Sequence, residues 1–346
     1  MNPIYSFRHL TFCILALSLV LLLGTLGCKP KKVEAPPPPP TPTPVVPPGS
    51  VVYVQRGHLV RLDLDSSQTT PLTSGKSTEW FPACSPKGDQ VAYWSNAEGG
   101  IYNLWKINLD GSNRVQLTFD EGNKAGSSDQ NLLVNNSPAW STDGKKIIYS
   151  LEGDIWTMDS DGFNPETLLS GHKALSPSYS PDGKLILFIA MGEDAVYNLW
   201  SMNLTDQTLK KLTNYTDWNV GSPSFSADGR KVLFNLYRED QTQLYTINAD
   251  GTGPLNITSN NRSLCPRFAQ NDRKILFCSY GTGEDVELNL NLANANGTDA
   301  KVLSSDNATS PSWAPARILS DIPAKPSAAT TPGASPSIGL PTPVGK

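Results

Sequence analysis

The stretch SPSYSPDGKLILF, from Ser176 to Phe188, returns along most of the chain, and this repetition limits the possible folds more than any other feature. Its copies are SPAWSTDGKKIIY (Ser137 to Tyr149), SPSFSADGRKVLF (Ser222 to Phe234), CPRFAQNDRKILF (Cys265 to Phe277) and the looser FPACSPKGDQVAY (Phe81 to Tyr93). Within Ser180-Pro181-Asp182-Gly183, Ser suits the first corner of a type I turn, Pro presets φ at the second and Gly suits the fourth. Each copy therefore reads as strand, tight turn, strand. Pro177 has no N–H to give a sheet ladder, so the strand it opens belongs at a sheet edge.

Two further segments follow each hairpin. The first alternates in hydrophobicity as a strand does: YNLWKINLDG from Tyr102, GDIWTMDSDG from Gly153, YNLWSMNLTD from Tyr197 and TQLYTINADG from Thr242. The second is short and ends Leu117-Thr118, Leu168-Leu169, Leu212-Thr213, Ile257-Thr258 or Leu303-Ser304. In the fifth unit the segment Glu287 to Ala293 is degenerate, and Asn271-Asp272 replaces Asp-Gly at the turn. Together these make a four-stranded unit. Near the start, Val51 to Val54, Leu59 to Leu64 and Pro71 to Thr73 supply three strands of a unit lacking its first, and Ser310-Pro311-Ser312-Trp313 supplies a first strand with nothing after it. Joined, they complete a sixth unit and remove the open edges of a linear array. Prolines 82, 138, 177, 223, 266 and 311 are 56, 39, 46, 43 and 45 residues apart, and the 56 contains an insertion, Phe119 to Asn135. The expected fold is all-β, a six-bladed β-propeller over residues 50–315, closed by a C-terminal first strand and folding as a monomer.

Outside the repeats the composition changes. Met1 to Gly27 has one charge, Arg8, before the apolar run Phe12 to Leu23, as in a secretory signal. Thr25-Leu26-Gly27-Cys28 resembles the bacterial lipoprotein box, which implies lipid attachment at Cys28 and a membrane anchor on the extracytoplasmic side. Residues 28–49, with the run Pro36 to Pro40, read as a polyproline II linker, and residues 316–346, rich in Pro, Ala, Ser and Thr, as a disordered tail. Of 28 basic and 32 acidic residues, seven and two lie in these flanks, leaving 21 and 30 in the repeats. That balance argues against a nucleic-acid partner.

The pattern Pro-x-aromatic-Ser-Pro-Asp-Gly, then Leu-Trp-x-Met-Asn, then Leu-Thr, resembles the TolB-type six-bladed propeller repeat across residues 50–315. The resemblance implies a binding module, here a lipoprotein without the α/β domain that precedes the propeller in TolB. Its partner would be a protein or peptide of the cell envelope. The repeat is also similar to that of oligogalacturonate lyases, so the alternative is a propeller-based envelope hydrolase or polysaccharide lyase.

Catalytic signals are sparse. His58 and His172 fall in different units, outside any zinc or triad pattern, and read as surface or turn histidines. Asp159-Ser160-Asp161-Gly162 reads as a strand-connecting turn, since an EF-hand would need Glu where Ser170 stands. No enzyme activity, metal or cofactor is expected. Cys84 replaces an aromatic of the other repeats and reads as a buried small hydrophobe. Cys265 and Cys278 flank one hairpin and could form a disulfide. The loops on the face away from the Ser-Pro-Asp-Gly turns vary in length and carry acids among aromatics. The candidate partner-binding residues are Tyr215, Trp218, Tyr237, Arg238, Glu239, Asp240 and Tyr280, with the alternative that the aromatics fold inward.

Overall fold

The computed structural model describes residues 49–97, 100–119, 136–239, 241–258, 260–269, 272–281 and 287–314. Cys28, the linker, the tail and Asp240 lie outside the described residues. The described chain forms six antiparallel four-stranded sheets, each in sequential order from the inside outwards. Blade 1 contains Glu79–Cys84, Gln90–Ser95, Asn103–Asn108 and Val115–Gln116; blade 2 contains Ala139–Trp140, Lys146–Leu151, Asp154–Asp159 and Glu166–Leu169. Blade 3 contains Ala174–Tyr179, Leu185–Met191, Tyr197–Asn203 and Leu209–Lys211; blade 4 contains Asn219–Phe225, Lys231–Arg238, Gln241–Asn248 and Leu255–Asn256. Blade 5 contains Ser263–Phe268, Lys274–Tyr280, Leu288–Asn294 and Lys301–Ser304. Blade 6 joins Ala308–Ala314 to Ser50–Gln55, His58–Asp63 and Thr69–Pro71, as the two half-units imply. The segment that looked degenerate in blade 5 is a full strand, Leu288–Asn294, because its alternation survives in Leu288, Leu290 and Leu292.

Each motif residue has a local job. At the first turn Ser180 Oγ donates to Asp182 Oδ1 at 2.6 Å and accepts the Leu185 N–H at 2.9 Å, while Asp182 accepts the Lys184 N–H at 3.1 Å. Ser141/Asp143 and Ser226/Asp228 repeat the pattern. These hydroxyl bonds first, and the amide bonds next, hold the three carboxyls below the ordinary aspartate range. At the outer edge the Thr of Leu-Thr completes the ladder: Thr73, Thr118, Thr213 and Thr258 each accept, at 2.9 Å, the N–H of the third-strand Leu59, Leu104, Leu199 and Leu244. The Gly of the next turn lies beneath the preceding blade. At Gly251, with φ +90, a Cβ would meet the Leu212 carbonyl oxygen at 2.8 Å, so a side chain is excluded on both counts.

The core lies between blades rather than within them. Six clusters bridge neighbours, such as Leu187, Ile189 and Leu199 of blade 3 with Val232, Phe234 and Leu236 of blade 4. The junction of blades 6 and 1 buries Val52, Val54 and Leu59 against Val91, Tyr93 and Ile107. A blade therefore buries its apolar faces only when both neighbours are present.

The inner strands carry the one irregularity that matters for function. Phe81, Ser176, Ser222, Cys265 and Ser310, each just before the repeat proline, have φ between 50 and 54. The ladder slips at all five sites, between Trp80 and Ala83, Leu175 and Ser178, Gly221 and Ser224, Leu264 and Arg267, and Thr309 and Ser312. Proline cannot donate to the ladder, and the bulge takes it out of the paired register. The residue after each proline then faces the axis.

Candidate functional site

Those residues, one per blade, are Ala83, Ala139, Ser178, Ser224, Arg267 and Ser312, and all six line a cavity of about 360 Å³ on the propeller axis. Ser85, Pro86 and Thr142 of the first turns also line it, so it extends to the turn face. Hydrogen bonds between blades fix the wall: Cys84 N–H donates to Ser312 Oγ at 2.9 Å, and Trp140 Nε1 to the Ala83 carbonyl at 2.9 Å. The Cys84 thiol is pushed up to about 12 by burial, opposed by its contact with Ser312. Arg267 is the charged residue of the lining, and its Nη1 donates to the carbonyls of Ser222 and Pro266 at 3.3 and 3.1 Å.

The residues expected to bind a partner sit elsewhere. Tyr215, Trp218 and Tyr237 do come together, but as part of the blade 3–blade 4 core, where Tyr237 is only 8% exposed. Tyr237 thus folds inward, while Tyr215 and Trp218 stay partly exposed. What remains outside is Arg238, lying 5.0 Å over the Trp218 ring and 2.9 Å from Asp217, together with exposed Glu239. Tyr280 is in a separate cluster with Leu264, Cys265, Cys278 and Leu288 in blade 5. Cys265 and Cys278 are both buried, in one cluster, and no disulfide links them in the structure. The ladder partner of Cys278 is Leu264, and Cys265 lies in the bulge, off the directly opposed position. Burial first, then contact with Cys265, raises the Cys278 thiol well above its ordinary value.

Sequence reasoning missed a polar hub at the junction of blades 6 and 1. Glu79 is fully buried. Its Oε2 accepts from Thr73 Oγ1 at 2.8 Å and lies 3.1 Å from His58 Nδ1; its Oε1 accepts from Ser77 at 2.6 Å, Ser95 at 3.1 Å and Arg114 Nη2 at 3.2 Å. Arg114 in turn lies 4.8 Å over the Trp105 ring. His58 is therefore a structural partner of Glu79 and not a plain surface histidine. The available signal was a glutamate at an inner-strand position that holds Ala174, Val220 and Ser263 in blades 3, 4 and 5. Among the described residues no group of His, Cys, Asp and Glu could hold a metal ion.

Comparison with known proteins accords with this architecture. The chain is 28% identical over 213 residues to the Tol-Pal system protein TolB of Francisella tularensis subsp. mediasiatica, a match over 58% of this chain and 46% of that protein. The chain thus spans about half the length of the curated relatives it matches. TolB from Acinetobacter baumannii superposes with a TM-score of 0.63 at 21% identity, over 77% of this chain and 67% of that one, a likeness of fold. The sequence model described as the TolB beta propeller domain matches residues 128–320, over half of the chain, so with its six bladed repeats this chain belongs to the TolB beta propeller family.

Proposed function

We propose that the protein is an exported, lipid-anchored propeller that binds a protein or peptide partner in the bacterial cell envelope and carries out no reaction of its own. The observation that carries this reading is the axial cavity. Its wall offers small side chains, hydroxyls, aromatic rings, one guanidinium and a thiol pushed up to about 12. Such groups hold a ligand; proton transfer near neutral pH calls for other ones. The relatives named as Tol-Pal system proteins support an envelope setting, and the apolar segment ending at Cys28 supports anchoring.

The test is affinity capture from envelope extracts with the full chain, read by mass spectrometry, beside turnover assays on peptide and polyuronate panels. Enrichment of a defined partner without turnover is expected. Turnover of either panel would replace this reading with the hydrolase or lyase one. Cys28→Ala should abolish metabolic lipid labelling, and unchanged labelling would remove the anchor from the proposal.

A further inference from the structure

Five of the six residues that follow the channel prolines are Ala or Ser, and the sixth is Arg267. Its two Nη1 bonds, to the carbonyls of Ser222 and Pro266, hold the side chain in place. Among the described residues its Nε and Nη2 have no hydrogen-bond partner, and no carboxylate pairs with it. That free edge carries two parallel N–H donors, the arrangement that receives a carboxylate in bidentate fashion. Arg267 is half-buried, and that burial pulls its pKa below the ordinary arginine value with no carboxylate beside it to offset the effect. The small residues on the other blades leave open space before the guanidinium, and about 360 Å³ lies within the range of small-ligand pockets.

We propose that the axial cavity recognises a carboxylate, with Arg267 holding either an acidic side chain or the C-terminal carboxylate of a peptide segment inserted along the axis. The inference rests on the binding reading above and narrows it to acidic peptides. The wall sets five Pro, two Ala and three aromatic residues beside six Ser and Thr. The apolar share gives contact area to the side chains of a peptide, whereas a sugar buries a hydroxyl on nearly every carbon, each needing a partner.

The experiment uses the full chain and hexapeptides of Ala and Pro that carry an uncharged BODIPY label, in three forms: free C-terminal carboxylate, C-terminal amide with one internal Glu, and C-terminal amide without acid. Digalacturonate is added as unlabelled competitor, and binding is read by anisotropy. One or both acidic forms should bind at least about tenfold more tightly than the neutral amide, and whichever form does so identifies the source of the carboxylate. Arg267→Ser, which installs the residue of three other blades, should reduce that form to the level of the neutral peptide. Arg267→Lys should retain part of the preference through charge without the two-donor edge, and Arg267→Gln gives a neutral comparison if the Ser variant folds poorly. Equal binding of all three peptides, unaltered binding by Arg267→Ser or Arg267→Gln, or displacement by digalacturonate with no preference for acidic peptides would overturn the proposal. Affinity capture separates the two levels. A partner retained equally by wild type and Arg267→Ser overturns the carboxylate site and leaves the binding function standing, whereas a wild-type chain that captures nothing counts against the binding function itself.

Discussion

Trp313, on the last described strand, stands directly opposite Val51, on the first strand, and this pairing closes the ring. Ala308 and Trp313 pack with Val51, Tyr53, Leu276 and Leu290, so the closing strand serves blade 5 as well as blade 6. Deleting residues from Asn307 onward should cost on the order of 5 kcal/mol or prevent folding, since no blade buries its faces alone. Deleting only residues 318–346 should leave the melting temperature unchanged. Equal thermal melts for the two truncations would refute the shared blade.

The Glu79 hub should be stabilising out of proportion to its size. Glu79→Ala leaves Arg114, His58 and three hydroxyls facing a void, and should cost about 3 kcal/mol, the lower end for a broken buried pair because Arg114 and His58 keep some exposure. Thr73→Val removes a single donor to Glu79 together with the acceptor for Leu59 N–H, and should cost about 1–2 kcal/mol. Urea unfolding of the two variants provides the comparison, and a Glu79→Ala midpoint within error of wild type would show that the hub is dispensable.

The Ser-x-Asp-Gly turns predict an acid sensitivity with a defined sign. Asp143, Asp182 and Asp228 titrate below the unfolded value of 3.8, so their contribution is complete above that pH and disappears as pH falls through the lower folded values. The difference in melting temperature between wild type and Asp182→Asn should therefore be largest near pH 6 and shrink steadily below pH 4. A difference independent of pH would assign the role of Asp182 to shape alone.

The thiols give a chemical test of the core. With Cys84 pushed up to about 12 and Cys278 raised as well, the thiolate fraction at pH 8 is minute. Pulsed iodoacetamide should leave buried Cys278 unlabelled and modify the half-exposed Cys84 only slowly in the native chain, and modify Cys84, Cys265 and Cys278 alike in urea without reductant. Recovery of Cys265 and Cys278 as a disulfide-linked pair would contradict the unlinked thiols of the structure.

The number of blades and their closure were readable because the blades restate the same chemistry: proline at the inner edge of all six, a Ser-x-x-Gly first turn in four, and Leu-Thr or Ile-Thr at the outer edge of four. The candidate site was not, for two physical reasons. Tyr237 reads as a loop residue next to the turn, yet the strand runs to Arg238 and the next begins at Gln241, so Tyr237 belongs to a paired strand and is buried beside Leu236 in the core between blades 3 and 4. Arg267 was visible in CPRFA, but the bulge before it breaks the two-residue alternation that would have told which way it points. Glu79 escaped notice because a lone charge gives no sign of its donors, which come from segments up to 35 residues away.

The bulged prolines separate two kinds of evolutionary freedom. The residues that hold blade to blade lie on the strand faces, whereas the six that face the axis are each set by one codon in one repeat and are largely outside the packed clusters. The ring thus works as a six-character address written on a fixed frame. The present address contains a single charged character, and the melting curve should move least when the rewritten character is one that, unlike Ser312 and Arg267, gives its side chain to no bond between blades.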